Sequence, residues 1–362
     1  MTISFYPHAR NHQWRSTTPP TEIGLFHQGL PGYEATPLIS LPELAAEFGV
    51  AHVFAKDESS RLGLPAFKAL GASWAVNKAL SLQEPGAKVT IVTATDGNHG
   101  RAIAKFTRLA GQRAQIFVPL GVHPDAIQAI RDEGAEVTVL DAPYDDVVAA
   151  AAAAAAQSPQ SILIQDTAWE GYEEIPGWIV QGYETLFAEI DAQLTQHHVA
   201  HPSVIASPTG VGSLLQAALT HYRNAEAPEG TAVVSVEPEA AACIEPSLRA
   251  GTAVSVETGE TVMSGLNCGT PSSLAWPLIE NGLDAAITIS EEQDIVAAYD
   301  LNGLGVKSGP CGASGLAGLR FALTGPGSEE RRKHLGITAK STVVFVVTEG
   351  SDANPLPPFI NR

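Results

Sequence analysis

The sequence predicts an α/β protein of two lobes, built on mostly parallel sheets flanked by helices. Three observations predict this. Short β-branched and aliphatic runs alternate with helix-compatible runs along most of the chain, the pattern of strands joined by crossover helices. Several strand-like runs end in loops of Gly, Ser, Thr and Asn that open directly into a helix, the place where open α/β sheets bind ligands. At 362 residues the chain exceeds what one core usually serves, about 250–300 residues.

The elements follow in order. Residues 53–56 read as a strand, then a polar loop, then a helix over 68–80. Residues 88–94 are a β-branched strand, 95–99 a loop and 100–110 a helix. Strand 114–118, helix 124–133 and strand 136–140 continue the alternation. Helix 144–157 contains an unbroken alanine run at 149–156, which favours helix and brings no chemistry. Residues 162–164 are a short strand, and one long helix is expected over 175–194. The second half repeats the pattern with strand 203–206, glycine loop 207–212, helix 213–222 and a strand over 232–236 ending in Glu237. Helices are expected near 240–250, 274–281, 291–301 and 312–322, and 341–347 is a last buried strand.

Composition excludes several classes. The net charge is −18, and the only basic run is Arg331-Arg332-Lys333, so a nucleic-acid or membrane-surface partner is not expected. No apolar run approaches the roughly 20 residues of a membrane span. Residues 1–20 lack the apolar segment of a secretory signal, which points to the cytoplasm. Cys243, Cys268 and Cys311 are too few and too scattered for a disulfide scaffold or a zinc site. No metal is expected, and the cysteines are read as reduced, although Cys243 and Cys268 can approach across a loop.

Lys68 is the residue to explain. It opens a helix after a strand and a polar loop, with Phe67, Ala69 and Leu70 around it. Desolvation there disfavours the ammonium and leaves a nucleophilic amine, as a Schiff-base lysine needs. A solvated lysine in a first helical turn is the plainer reading. The loop Thr95-Asp96-Gly97-Asn98-His99-Gly100 has glycines that let the backbone approach a ligand, and amides that suit a substrate carboxylate. Asp96 fits beside an anion only if a cation or a transferable proton is bound too; a plain capping turn is the alternative.

The loop Ser207-Pro208-Thr209-Gly210-Val211-Gly212-Ser213 follows a strand and opens a helix, the placement of a phosphate site. It lacks the Gly-Lys-Ser/Thr of a nucleoside triphosphate loop. A dinucleotide site is the rival, with Glu237 as its ribose acid, but Leu215 stands where the third glycine belongs. At the last strand, the Thr348 hydroxyl can face a ring nitrogen. The turn around Ser314 lacks the Gly-x-Ser-x-Gly spacing of a serine hydrolase, and Cys311 has no histidine partner in the sequence pattern.

A lysine after a strand, an Asn-bearing glycine loop and a second glycine loop together suggest pyridoxal phosphate (PLP). On these residues the chain resembles the fold type II, tryptophan-synthase-β type of PLP enzymes, and within it the diaminopropionate ammonia-lyase family. The matching stretches are Lys56-Asp57-Glu58-Ser59, Gly63 to Lys68, Thr95 to Arg101, Gln165 to Tyr172, Ile175-Pro176, Gln181-Gly182-Tyr183 and Met263 to Gly269. Aspartate at position 96, where dehydratases of this type usually carry serine, singles out the lyase. One departure is that no acidic residue stands near Pro310-Cys311.

The resemblance implies a large cofactor-binding domain, 1–85 and 176–362, with a small domain, 86–175, inserted in it. It implies that Lys68 holds PLP, that Asn98 bonds the ring hydroxyl oxygen, that the amides of Thr209, Gly210, Val211, Gly212 and Ser213 hold the phosphate, and that Thr348 faces the ring nitrogen. Lys68 and Asp96 are the expected catalytic residues, with Thr95, Asp96, Gly97, Asn98, His99, Asp166 and Tyr172 around the substrate. The implied reaction is α,β-elimination of 2,3-diaminopropionate, on one or both isomers, to pyruvate and two ammonia, in a homodimer. The alternatives are a serine or threonine dehydratase, a lyase of another 3-substituted alanine and, from another class, a nicotinamide-dependent oxidoreductase.

Overall fold

Two sheets divide the strands in the computed structural model, which describes residues 3–357. The strands are β1 (Ser4–Pro7), β2 (Leu38–Ser40), β3 (His52–Asp57), β4 (Thr90–Ala94), β5 (Arg113–Pro119), β6 (Glu136–Leu140), β7 (Ser161–Leu163), β8 (Val204–Pro208), β9 (Ala232–Pro238), β10 (Ala285–Ile289) and β11 (Thr342–Val347). The larger sheet has the order β1-β10-β9-β8-β11-β3-β2, and the smaller one β6-β5-β4-β7. Every pairing is parallel except at the two ends of the larger sheet, where β1 and β2 run antiparallel.

Parallel strands covered by helices on both faces need no polar side. Accordingly β8, β9, β10 and β11 are buried along their whole length. The centre of the larger sheet is β8-β11-β3, so the loops after these three strands open side by side. They are the glycine loop after β8, Thr348-Glu349 after β11 and the lysine loop after β3. In the smaller sheet β4 and β7 are neighbours, which brings the Asp96 loop next to the segment Gln165-Asp166.

The helix that starts at Lys68, Lys68–Ser81, is seated by close backbone packing. A Cβ on Gly71 would lie 2.6 Å from Tyr183 and 2.7 Å from Ile179, and one on Gly182 would lie 2.6 Å from the Leu70 carbonyl oxygen. This explains one departure from the sequence expectation. The long helix over 175–194 is two helices, Glu174–Gly182 and Glu184–Gln196. The first ends where Gly182 is pressed onto the lysine helix, and the chain turns at Tyr183.

A second departure lies at the Asp96 loop. The helix begins at Asn98, not at 100, because Gly97 turns the chain at φ 148°. Asn98 and His99 therefore sit in a first helical turn. The reading of the sequence also passes over β1, β2, β10 and the helices Glu22–Gln28, Pro42–Phe48 and Ser328–Leu335. The basic run 331–333 lies in the last of these, where Arg332 donates to the Phe48 carbonyl at 2.6 Å. Among the described residues no helix is long and apolar enough to cross a membrane.

Candidate active site

The loops at the carboxyl ends of both sheets enclose one cavity of about 820 Å³. Lys68, Thr95, Asp96, Gly97, Asn98, His99, Asp166, Thr209 to Ser213 and Thr348 all line it. Tyr172 does not. Its hydroxyl donates to the Leu163 carbonyl and accepts the Gln165 amide, each at 2.9 Å, and its ring stacks on Trp169. Both sides of that hydroxyl are spent on the backbone, so Tyr172 braces the segment that carries Asp166 from outside the cavity lining.

Lys68 donates to Asp166 Oδ2 at 2.7 Å. Its place at a helix N-terminus opposes a positive charge. Burial lowers it as well, but the Asp166 carboxylate wins and holds the ammonium above the ordinary lysine range. The desolvated amine expected from the sequence is thus paired with Asp166, which favours its ammonium form. Burial pushes Asp166 up, while the His99 ring and the Lys68 ammonium more than offset it and keep the carboxyl below its usual range. Of these two we weight Lys68 more, because burial lowers the basicity of His99 itself. His99 Nε2 lies 2.9 Å from the Ile164 carbonyl oxygen and Nδ1 3.8 Å from Asp166 Oδ2.

Asp96 behaves in the opposite way. Its carboxylate accepts no hydrogen bond among the described residues, and the surface it exposes is cavity wall. Protein crowds it beyond that wall. Burial and the neighbouring Asp166 charge raise it to about 7, against the pull of Lys68. Of these two aspartates one is held toward its ionised form and the other toward its protonated form, a division suited to moving protons. Thr95, which lines the cavity, spends its hydroxyl on its own loop, accepting from Gly97 at 2.9 Å and Gly100 at 3.0 Å.

Across the cavity the glycine loop forms a cradle. Gly212 has φ +97°, and a Cβ there would lie 3.0 Å from Ile279, while one on Gly210 would lie 2.9 Å from Cys268 Sγ. The Thr209 amide is already donated to the Val236 carbonyl at 2.8 Å, so it is withdrawn from the expected phosphate donors. The following helix, Ser213–Arg223, supplies first-turn amides. Ser213 Oγ also donates to the Asp166 carbonyl at 3.0 Å, tying the two sheets together across the cavity floor. Glu237, the acid a dinucleotide site requires, instead accepts the amides of Cys243 and Ile244, each at 2.8 Å. Thr348 Oγ1 is buried and without a partner. All three cysteines are free thiols.

Tyr144 and Glu349 are among the lining residues that the sequence reading did not single out. Tyr144 opens the alanine-rich helix, dismissed as bare scaffold, and receives Gln165 Nε2 at 3.1 Å. Its position just after Pro143, at a helix start, was the available signal. Glu349 lines the cavity against the Gly309–Cys311 turn, its Cγ 3.3 Å from where a Gly309 Cβ would stand. It puts a carboxylate beside the turn that itself lacks one.

The family model for pyridoxal-phosphate dependent enzymes matches residues 30–349. The chain is 36% identical to the diaminopropionate ammonia-lyase of Escherichia coli (strain K12), over 90% of this chain and 86% of that protein. A solved structure of the E. coli enzyme with an aminoacrylate-PLP azomethine reaction intermediate matches with a TM-score of 0.84 at 34% identity, covering 97% of this chain and 94% of that one. Its complex with D-serine matches with a TM-score of 0.85 at 34% identity, covering 96% and 94%. Lysine at a helix start, a glycine cradle opposite it and a match along nearly the whole length meet in one assignment: the chain belongs to the pyridoxal-phosphate dependent enzymes.

Proposed function

We propose that the protein is a PLP-dependent ammonia-lyase that converts 2,3-diaminopropionate to pyruvate and two ammonia, on both the D and L isomers. The observation that carries this reading is the pairing of Lys68 with Asp166 at 2.7 Å, with a second, unpaired aspartate, Asp96, in the same cavity. The cofactor fits the residues present. The glycine cradle leaves room where any Cβ would clash, and Thr348 Oγ1 waits for a partner. Lys68 would hold the aldehyde carbon, Asn98 the ring oxygen, Gly210 to Ser213 the phosphate and Thr348 the ring nitrogen. Bound there, PLP supplies an electron sink for charge developing at the substrate Cα.

The chain's own residues supply the proton handling. Asp166 holds the proton of Lys68 until the amine is needed, and Lys68 then serves as the base at Cα. Asp96, once ionised, orients the substrate's β-ammonium through a charge-assisted hydrogen bond. Because Asp96 is hydrogen-bonded to neither Lys68 nor Asp166, the cavity offers two separate proton-holding groups, as handling two mirror-image substrates requires. Tyr144 and Gln165 keep the Asp166 segment in register.

Residues 86–175 are taken as a small domain inserted between 1–85 and 176–362, supported by the smaller sheet drawing its strands from Thr90 to Leu163. A homodimer is inferred from the family resemblance, and a cytoplasmic location from the free thiols. The test is 2-oxo acid release: pyruvate from D- and L-diaminopropionate and from serine, 2-oxobutanoate from threonine. Faster turnover of diaminopropionate is expected; faster turnover of serine or threonine would make the protein a dehydratase.

A further inference from the structure

The Glu349 carboxylate has no role in the scheme above, yet its setting calls for one. The residue is 4% exposed and lies two residues past β11; burial raises its carboxyl, hydrogen bonds from Cys311, Asn354 and Asn98 oppose that, and no cation is among these groups. Oε2 accepts from Asn98 Nδ2 at 2.6 Å. Oε1 has no partner of good geometry, although the Cys311 thiol and the Asn354 amide are its other polar neighbours. A buried acid without a cation is a poor packing device. A neutral amide of the same shape fills the same space without the cost of desolvating a charge.

What a carboxylate does and an amide does not is accept only. The Asn98 side chain is nearly symmetric in shape, with a donor end and an acceptor end, and its last torsion has broad, roughly two-fold preferences. Against an accepting carboxyl oxygen, as Oε2 is here, only the Nδ2 end bonds; the Oδ1 end is repelled. The contact also spans the molecule, joining the first turn of the helix after β4 in the smaller sheet to the end of the central strand of the larger one.

We propose that Glu349 is a positioning residue that fixes which end of the Asn98 amide faces the cavity, keeping the second Nδ2 hydrogen as a donor to the cofactor ring oxygen. This rests on the reading of the cavity as a PLP site. Glutamine at 349 presents a donor or an acceptor and so loses the selection while keeping the volume.

The test titrates cofactor-free protein with PLP, following tryptophan fluorescence and visible absorbance, in wild type, N98A, E349Q and N98A/E349Q. N98A and E349Q should each weaken PLP binding about tenfold, as loss of a hydrogen bond to a charged group does. Both should move the pH midpoint of the visible band in the same direction, and the double variant should be no worse than N98A. An E349Q protein with wild-type affinity and midpoint, or losses that add in the double variant, would overturn the assignment. If E349Q fails to fold by circular dichroism, E349A is read in its place: the same loss is expected, and wild-type affinity refutes the role. Wild-type protein that binds no PLP defeats the reading of the cavity itself, and this inference with it.

Discussion

Two clusters of charge flank the lysine loop, one buried and one opening on the cavity with Asp96 exposed, and they are built on opposite plans. Beneath it, Arg61 is fully buried and forms paired bonds with both Glu58 and Glu189 at 2.6–2.8 Å. Lys56 fills its three donor positions with Thr36 O, Glu189 and Gln193 at 2.6–2.9 Å. The charges cancel and the bonds are complete. Above it, Lys68 has Asp166, while Asp96 has no partner and opens on the cavity. A complete cluster is scaffold, because nothing in it is left to react. An incomplete one is where a ligand finishes the bonding, at a cost in stability borne by the rest of the fold.

The largest test of this contrast is Lys68→Ala. Loss of the lysine that lines the cavity, the only one to do so among the described residues, should remove the visible absorbance of the bound cofactor and lower turnover by at least about 10³-fold. A yellow, active variant would place the chemistry elsewhere. Asp96→Asn comes next. It should lower diaminopropionate turnover on the order of 10²-fold or more while PLP affinity stays within a few-fold, read by titration beside steady-state kinetics. Unchanged kinetics on both isomers would remove Asp96 from the mechanism.

Arg61→Met attacks the other cluster. It leaves Glu58 with little but the Thr36 hydroxyl at 2.6 Å and Glu189 with Lys56 as its cation. Breaking a buried pair on one side typically costs about 3–5 kcal/mol, so the urea midpoint should fall sharply. A midpoint within error of wild type would show that this cluster is not the scaffold it resembles. Asp96→Asn, by contrast, should leave the midpoint at neutral pH almost unmoved.

The same contrast shows what a linear reading reaches. Lys68, the Asp96 loop and the glycine loop each sit where a strand gives way to a helix, so local pattern alone finds them. Parallel strands buried on both faces are equally plain, as β11 is. What escapes is whatever depends on a partner far along the chain. Asp166 is singled out only through the family resemblance, as a substrate residue; its pairing with Lys68 shows only once β7 pairs with β4. Glu349 reads as part of a terminal turn until β11 lands beside β3. The break at Tyr183 is invisible because the helical pattern runs on, and only Gly182 against the Leu70 carbonyl stops it. Short edge strands such as β2, Leu38–Ser40, carry too few residues for a period to show.

The smallest expected effect is the stability cost of leaving Asp96 unsatisfied. Its carboxyl is raised from 3.8 to about 7 in the folded protein, so between those values the folded state holds a proton that the unfolded chain releases. Stability is therefore greater on the acid side of this window and is lost as pH rises through about 7. Glu189 acts in the other direction. Burial would raise it, but Arg61 and Lys56 lower it, so its contribution is present above the unfolded value near 4.5 and is lost only in more acid solution. Urea melts of the cofactor-free protein at pH 5.5 and 8 thus isolate Asp96, provided wild type is compared with Asp96→Asn so that every other titration subtracts. Because the carboxylate is open to cavity water, screening reduces the penalty to about 1 kcal/mol. The wild type should lose that much more stability than the variant on going to pH 8; parallel losses would mean that Asp96 is solvated like any surface acid, and the contrast between the two clusters would rest on Lys68 alone.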